Sequence, residues 1–488
     1  MTVLWGGLHV KQLVPKKCYK IGLVEDRNFL YHKQTLNFNS TKSQAMKPVD
    51  TIFAVATPPG RSAIAVVRIS GPQAVQAPAL FGAACPAAGR FKVARLAAAN
   101  QVIDEVLILF MQAPRSSTGE NVCEIHCHGS SAVLTLVLQI LTDATGFRPA
   151  DAGEFTRRAF MHNKLDLLGV EGLADVIDAE TPKQLHQAWA QIDGYLRGPV
   201  LRWREDLIAL ASQLEALIDF VEEDLPKNVE VKLRQQTALL INDIANILDD
   251  QHAGELVRDG VVVALVGLVN AGKSTILNRL AGRAVAIVSD QAGTTRDIIS
   301  VRLDLNGVPT TILDTAGIRD TTGEVEAEGI RRTLDAAQHA DVVVLVVDAA
   351  SGHWQIDVEQ LSGHINKPDL IILNKVDQGV PADAPAEAMQ LSAQNDADII
   401  NLMQRLSTII IPHNQSQRSA LITRARHRRA LDHEHRSLSA GLQHDFHHAP
   451  ELAAEDFRQA AMALGRITGA VDVEELLGQI FSTFCIGK

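Results

Sequence analysis

The run Val261-Val262-Val263-Ala264-Leu265-Val266 passes directly into Gly267-Leu268-Val269-Asn270-Ala271-Gly272-Lys273-Ser274. An apolar run followed by G-x-x-x-x-G-K-S predicts a buried strand, a tight turn and a helix opening near Ser274. Backbone N–H groups of such a turn converge on one point at a helix N-terminus, where an anion is favoured. Asn270, Ala271, Gly272, Lys273, Ser274 and Thr275 are therefore the expected phosphate contacts, with Lys273 reaching the β and γ oxygens and the Ser274 hydroxyl on Mg²⁺. Such a loop commits at least part of the chain to an α/β unit with a mainly parallel sheet.

Three further stretches, in order, complete a nucleotide site. The strand-like run 310–313 ends in Asp314-Thr315-Ala316-Gly317, where Asp314 can hold Mg²⁺ through water and the Gly317 amide can meet the γ-phosphate. The run 370–373 ends in Asn374-Lys375-Val376-Asp377, whose carboxylate suits the two N–H donors that guanine has and adenine lacks. Ser392, Ala393 and Gln394 close the base pocket. Between the first two lies the polar loop Ser289-Asp290-Gln291-Ala292-Gly293-Thr294-Thr295, suited to ordering on GTP with Thr295 on Mg²⁺. Together these motifs predict a GTP-binding domain. Ile318 stands where many GTPases carry a water-orienting Gln, so Glu324, Glu326 and Glu328 become the nearest supply of a base.

The 488 residues exceed one ordinary core and suggest three units. Residues 51–146 read as short strands and helices, an α+β unit. From about 151 to 250 the texture is helical, with Leu233, Leu240, Ile244 and Ile247 on one helical face. The α/β pattern then runs to about 420 and helix returns to the end. An α/β domain inserted in a helical one explains this order, since domain termini often lie close together. The expected boundaries are 46–163, 164–256 with 418–488, and 257–417, after an extension at 1–45.

Composition narrows the function classes. A formal charge of −11 disfavours a general nucleic-acid coat. The run Arg424, Arg426, Arg428 and Arg429 reads either as a solvated helix face or as a local nucleic-acid footprint. Five unevenly spaced cysteines argue for a reducing compartment, by default the cytoplasm, and no apolar run is long enough to span a membrane. Residues 1–45 carry seven Lys or Arg and two acidic residues, which fits a transit peptide or a natural start at Met46. The tail Phe484-Cys485-Ile486-Gly487-Lys488 leaves a lipid anchor, a packed thiol and a site residue as readings for Cys485. In Cys123-Glu124-Ile125-His126-Cys127-His128, strand alternation sends the cysteines and Ile125 to one face and Glu124, His126 and His128 to the other. That favours a ligand-pairing carboxylate at Glu124 over a Cys–His zinc site.

With these motifs assembled, the chain from Asp50 to Lys488 resembles the tRNA-modification GTPase family MnmE, also called TrmE. The likeness rests on Ala56-Thr57-Pro58-Pro59-Gly60, Gly153-Glu154-Phe155-Thr156-Arg157-Arg158-Ala159-Phe160, Ala292-Gly293-Thr294-Thr295-Arg296-Asp297 and the Cys485 tail. The resemblance implies a homodimer with an α+β folate-binding N-terminal domain, an all-α helical domain and an inserted Ras-like P-loop domain. It implies that, with the FAD protein MnmG, the chain adds aminomethyl or carboxymethylaminomethyl groups at C5 of the wobble uridine of certain tRNAs. The one-carbon unit would come from a tetrahydrofolate derivative in its 5,10-methylene or 5-formyl form. Potassium would sit on Asn270, Ser289, Gln291 and Thr294, with Glu326 orienting water. Folate contacts would be Arg68, Glu124, Lys164 and Lys488, with Cys485 beside the one-carbon unit as a nucleophile or acid/base group. Departures from the family pattern are Val269 for Pro, Ser289 for Thr, and Ser117, Asn121 and Ser130 near Glu124. The rival reading is a regulatory GTPase in ribosome assembly or signalling.

Overall fold

The computed structural model describes residues 50–219, 229–283, 299–314, 338–351, 355, 358–359, 368–382, 384–411, 421–446, 448–470, 474–484 and 486–487. The first unit is a six-stranded sheet in the order β3-β4-β5-β2-β1-β6. Its strands are β1 (Thr51–Val55), β2 (Ser62–Ser70), β3 (Arg90–Ala98), β4 (Gln101–Met111), β5 (Val122–Gly129) and β6 (Phe147–Pro149). All neighbours are antiparallel except β1 and β6. Period-two alternation divides the faces. Val67, Ile69, Ile108, Cys123, Ile125 and Cys127 turn into a core closed by α1 (Ser131–Asp143) through Val137 and Leu141. The other face is covered only in part. Near β1, helix α2 (Glu154–Met161) lays Phe155 on Ile52 and Ala54.

The motif that begins at Gly153 is what fastens α2 there. Gly153 adopts φ +65°, and a Cβ at that position would stand 2.8 Å from the Phe481 carbonyl oxygen. The nearly buried Arg158 binds Glu120 at 3.1 Å, Asp50 at 3.0 Å and Glu154 at 3.1 Å. Arg148 grips both Glu154 oxygens, at 2.6 and 2.8 Å. Burial opposes ionisation of Glu154, but Arg148 and Arg158 outweigh it and hold the carboxyl below its usual range. A buried arginine is tolerable only with such full compensation.

The helical unit starts with α3 (Leu167–Asp178), α4 (Pro182–Ile192), α5 (Arg197–Asp219), α6 (Val229–Leu248) and α7 (Ala253–Asp259). Leu233, Leu240 and Ile244 of α6 are buried as their spacing predicts, and Ile247 packs against the same cluster. The chain then forms the second six-stranded sheet, in the order β12-β11-β10-β7-β9-β8. Its elements are β7 (Val261–Val266), α8 (Lys273–Arg283), β8 (Ile299–Leu305), β9 (Val308–Asp314), β10 (Val342–Asp348), β11 (Leu370–Asn374), β12 (Met389–Leu391) and α9 (Asp396–Ile410). Every neighbour pair is parallel except β8 with β9. Apolar clusters lie on both faces, the arrangement an inserted P-loop domain requires. The β8–β9 turn, Asn306-Gly307 at φ +54° and +86°, meets the start of α4. There the Thr181 hydroxyl donates to the Gly307 carbonyl at 2.9 Å, and Arg302 pairs with Glu180 at 2.9 Å.

Helix returns as α10 (Ala425–Gln443), α11 (Pro450–Thr468) and α12 (Glu474–Thr483). The first two rejoin α5 and α6 through Leu431, Leu438, Phe457 and Leu464, so one core is built from segments on both sides of the insertion. The arginine run at the start of α10 corrects both readings made of it from sequence. Arg426 holds both oxygens of Glu171 at 2.5 Å, Arg424 binds Asp175 at 2.6 Å, and Arg428 binds Asp250 at 2.5 Å and Glu255 at 3.1 Å. These carboxylates sit on α3, on α7 and in the turn between α6 and α7, so the run is an internal joint. Arg429 alone of the four is exposed. Among the described residues, no helix is long and apolar enough to cross a membrane.

Candidate functional site

The phosphate loop follows β7 and is locked from three sides. Gly267 lies against β10, where a Cβ would be 2.1 Å from the Val346 carbonyl oxygen. Gly272, at φ +97°, lies against Asn374, where a Cβ would be 2.1 Å from Nδ2. Asn270 takes φ +64° between them and is exposed. Lys273 is 4% exposed, and its ammonium donates to the carbonyls of Gly267 at 2.6 Å and Leu268 at 2.9 Å. Burial pushes that ammonium below its usual pKa, with Asp314 opposing the shift. The Ser274 hydroxyl donates to the Asp314 carboxylate at 2.5 Å. A hydroxyl and a buried carboxylate in contact at the first turn of α8 are an oxygen donor set suited to Mg²⁺.

Asn374 connects this loop to the base side. Its Nδ2 donates to the Ala271 carbonyl at 2.8 Å, and its Oδ1 accepts from the Ala393 amide at 3.2 Å. One side chain thus ties the phosphate loop to Ser392-Ala393-Gln394. Asp377 is exposed, three residues past the end of β11. Two residues of this assembly escaped sequence reasoning. Asp348 holds Lys375 by an ion pair at 2.6 Å, and Arg279 of α8 donates to the Gln394 carbonyl at 3.0 Å. The signal for Asp348 was its place as the polar end of an apolar strand; Arg279 had none beyond helix periodicity.

A second constellation lies on the open face of the antiparallel sheet. Arg68 and Glu124 are direct cross-strand partners on β2 and β5. Arg68 Nε donates to Glu124 Oε1 at 2.8 Å, its guanidinium lies 5.9 Å from the Phe155 ring centroid, and Nη1 donates to the Gly487 carbonyl at 3.4 Å. The end of the chain reaches this face after Phe481 of α12 and the Phe484 that follows it pack against Val170. Ile486 bridges to Ala152, and Gly487, at φ +103°, leaves only 2.3 Å between an added Cβ and the Val55 carbonyl oxygen. A carboxylate beside a guanidinium on an accessible face fits an amino-pyrimidine ring, which offers adjacent N–H donors. Lys164 is exposed beyond α2, and among the described residues it makes no hydrogen bond or ion pair with Arg68 or Glu124. Cys123 and Cys127 turn into the core, away from His126 and His128.

Several expected residues lie outside the described residues: Ser289, Asp290, Gln291, Ala292, Gly293, Thr294, Thr295, Thr315, Ala316, Gly317, Ile318, Glu324, Glu326, Glu328, Cys485, Lys488 and residues 1–45. Of the expected potassium ligands only Asn270 is described, and for Mg²⁺ only Ser274 and Asp314.

Comparisons with known proteins agree with this layout. The model of the GTP-binding protein TrmE N-terminus matches residues 51–164, and that of the MnmE helical domain matches residues 167–485. The tRNA modification GTPase MnmE of Parvibaculum lavamentivorans is 46% identical over 451 residues, covering 90% of this chain and all of that protein. The same-named protein of Cereibacter sphaeroides is 43% identical over 447 residues, with the same coverage. Among solved structures, Era from Aquifex aeolicus matches 36% of this chain and 66% of its own at 26% identity, with a TM-score of 0.26. That partial match adds nothing to the assignment. Two family models in sequence, and relatives matched along their whole length, establish that the chain belongs to the MnmE (TrmE) family of tRNA modification GTPases.

Proposed function

We propose that this chain is a K⁺-dependent GTPase that, as a homodimer with an FAD-dependent MnmG-like partner in the cytoplasm, modifies C5 of the wobble uridine of certain tRNAs. The added group is aminomethyl or carboxymethylaminomethyl, and its one-carbon unit derives from a reduced folate. The supporting observation is the seat of the chain terminus: Gly487 accepts from Arg68, which also binds Glu124. A regulatory GTPase has no evident use for a tail brought onto the open face of another domain. Flanking that tail position, Cys485 and Lys488 would act beside a ligand held by Arg68 and Glu124, the thiol as nucleophile or acid/base group.

In the P-loop domain, Lys273 would neutralise charge on the transferring phosphoryl group, and Ser274 and Asp314 would hold Mg²⁺. Thr295 would complete that Mg²⁺ set. Bound K⁺, on Asn270, Ser289, Gln291 and Thr294, would supply the positive charge that an arginine finger gives other GTPases. Glu326 would orient the attacking water. Asp377 would select guanine.

Nucleoside analysis of tRNA from cells lacking this gene tests the main claim. The C5 substituent at the wobble uridine should disappear and return with the gene; unchanged nucleosides would leave the regulatory reading in possession. GTP turnover measured in K⁺ and in Na⁺ at equal ionic strength tests the ion, and equal rates would remove it.

A further inference from the structure

We propose that His126 is a positioning residue for Glu124, orienting its carboxylate for the N–H donors of a reduced pterin; this deepens, and rests on, the folate reading above. Period two on β5 puts Glu124 and His126 on the same open face, one pleat apart. His126 Nε2 lies 3.3 Å from Glu124 Oε2, while Arg68 Nε holds Oε1 at 2.8 Å. The carboxylate is thus gripped at one oxygen from across the strands and at the other from along its own strand.

That grip has a consequence for recognition. An isolated Glu side chain turns freely about its last torsion, which is broad, so its acceptor directions are undefined. Held at both oxygens, it has a fixed plane and keeps further lone pairs on each oxygen for a ligand. An amino-pyrimidine needs that plane, because its two donors are coplanar. Contact with a carboxylate also requires the His126 Nε2 to carry a proton. Neither group is closed off: the Glu124 side chain is 12% exposed and His126 28%, so both keep some surface open to a ligand.

His128 cannot substitute. It is the next residue on that face, but its Nδ1 is bound to Asp104 at 2.7 Å and its backbone N–H to the same carboxylate at 2.7 Å. The sequence separates the two histidines by one residue, and only the structure shows that they serve different carboxylates.

The test uses the full-length protein and 5-formyltetrahydrofolate, with binding measured by calorimetry. His126→Phe removes the donor and keeps a ring, and binding should weaken by about tenfold. His126→Gln keeps an N–H donor near the Nε2 position, and binding should stay within about twofold of wild type. GTP turnover and melting temperature should be unchanged in both. Wild-type affinity in His126→Phe, or a loss in His126→Gln as large as in His126→Phe, would overturn the positioning role alone. Failure of the wild-type protein to bind the folate would overturn the folate reading and the positioning role together.

Discussion

In the sheet of β7 to β12 the strands are buried on both faces, with six consecutive buried residues in β10, whereas β5 of the other sheet alternates buried and open positions. The difference decides where chemistry can go. A parallel sheet covered by helices has no free face, so the site residues gather at the C-terminal strand ends and just beyond them, as Asp314, Asn374, Gly272, Lys273 and Asp377 do. An antiparallel sheet with one open face can carry reactive groups within its strands, as Arg68, Glu124 and His126 show. The first kind of site depends on backbone shape at a few glycines. The second depends on which side chains stand next to each other across the ladder.

The largest test of that contrast is Gly272→Ala. The residue sits at φ +97° with Asn374 Nδ2 at 2.1 Å from the position of an added Cβ, so the loop must move. GTP affinity should fall on the order of a hundredfold, the size expected of a strained, displaced turn. Reduced-folate binding should not change. A nucleotide titration showing near-normal affinity would mean that the loop shape is softer than the packing around Asn374 implies.

Asp377→Asn comes next. It keeps the loop but replaces a charged acceptor with an amide, so GTP affinity should drop by roughly tenfold to a hundredfold while xanthine nucleotides gain. Unchanged discrimination between the two nucleotides would remove Asp377 from the base pocket.

The same contrast explains what could be read in advance. The loops of the parallel sheet have fixed spacings because a phosphate and a base set distances along the chain, so Gly267 to Ser274 and Asn374 to Asp377 announced themselves. Arg68 and Glu124 announced nothing by spacing. They are 56 positions apart in sequence and paired only by strand register; alternation pointed to Glu124, but Arg68 was reached through family resemblance. Alternation in 123–128 did separate the cysteines from the histidines. It could not show that His126 meets Glu124 while His128 meets Asp104, since that depends on the neighbouring strands. The arginine run from Arg424 was misread because its partners, Glu171, Asp175, Asp250 and Glu255, come from two helices and a turn on the far side of the insertion.

Gly487→Ala is the counterpart of the P-loop change on the open face. Gly487 is at φ +103° with the Val55 carbonyl oxygen 2.3 Å from the position of an added Cβ, so the chain end should be displaced from Arg68. We expect tRNA modification to slow by about tenfold, from strain of this kind, with GTP turnover unaffected. Modification at the wild-type rate would show that the seat of the tail has no part in the chemistry.

The smallest effect on either site should come from a residue in neither sheet. Glu434 lies on the buried face of α10, fully inaccessible, with no hydrogen-bond partner for either oxygen among the described residues. Burial alone pushes its carboxyl up to about 9. A folded-state pKa above the unfolded value means that folding takes up a proton. The penalty is therefore absent below about pH 4.5, grows through neutrality and stops growing near pH 9, reaching about 3 kcal/mol at pH 7. Glu434→Leu has similar bulk and no charge, so it should raise the melting temperature by a few degrees at pH 8 and by much less at pH 5. Melting curves at the two pH values decide the matter, because an equal gain at both would exclude protonation as the cause. Nucleotide and folate affinities should stay at their wild-type values in this variant, since it touches neither the strand-end loops of one sheet nor the open face of the other.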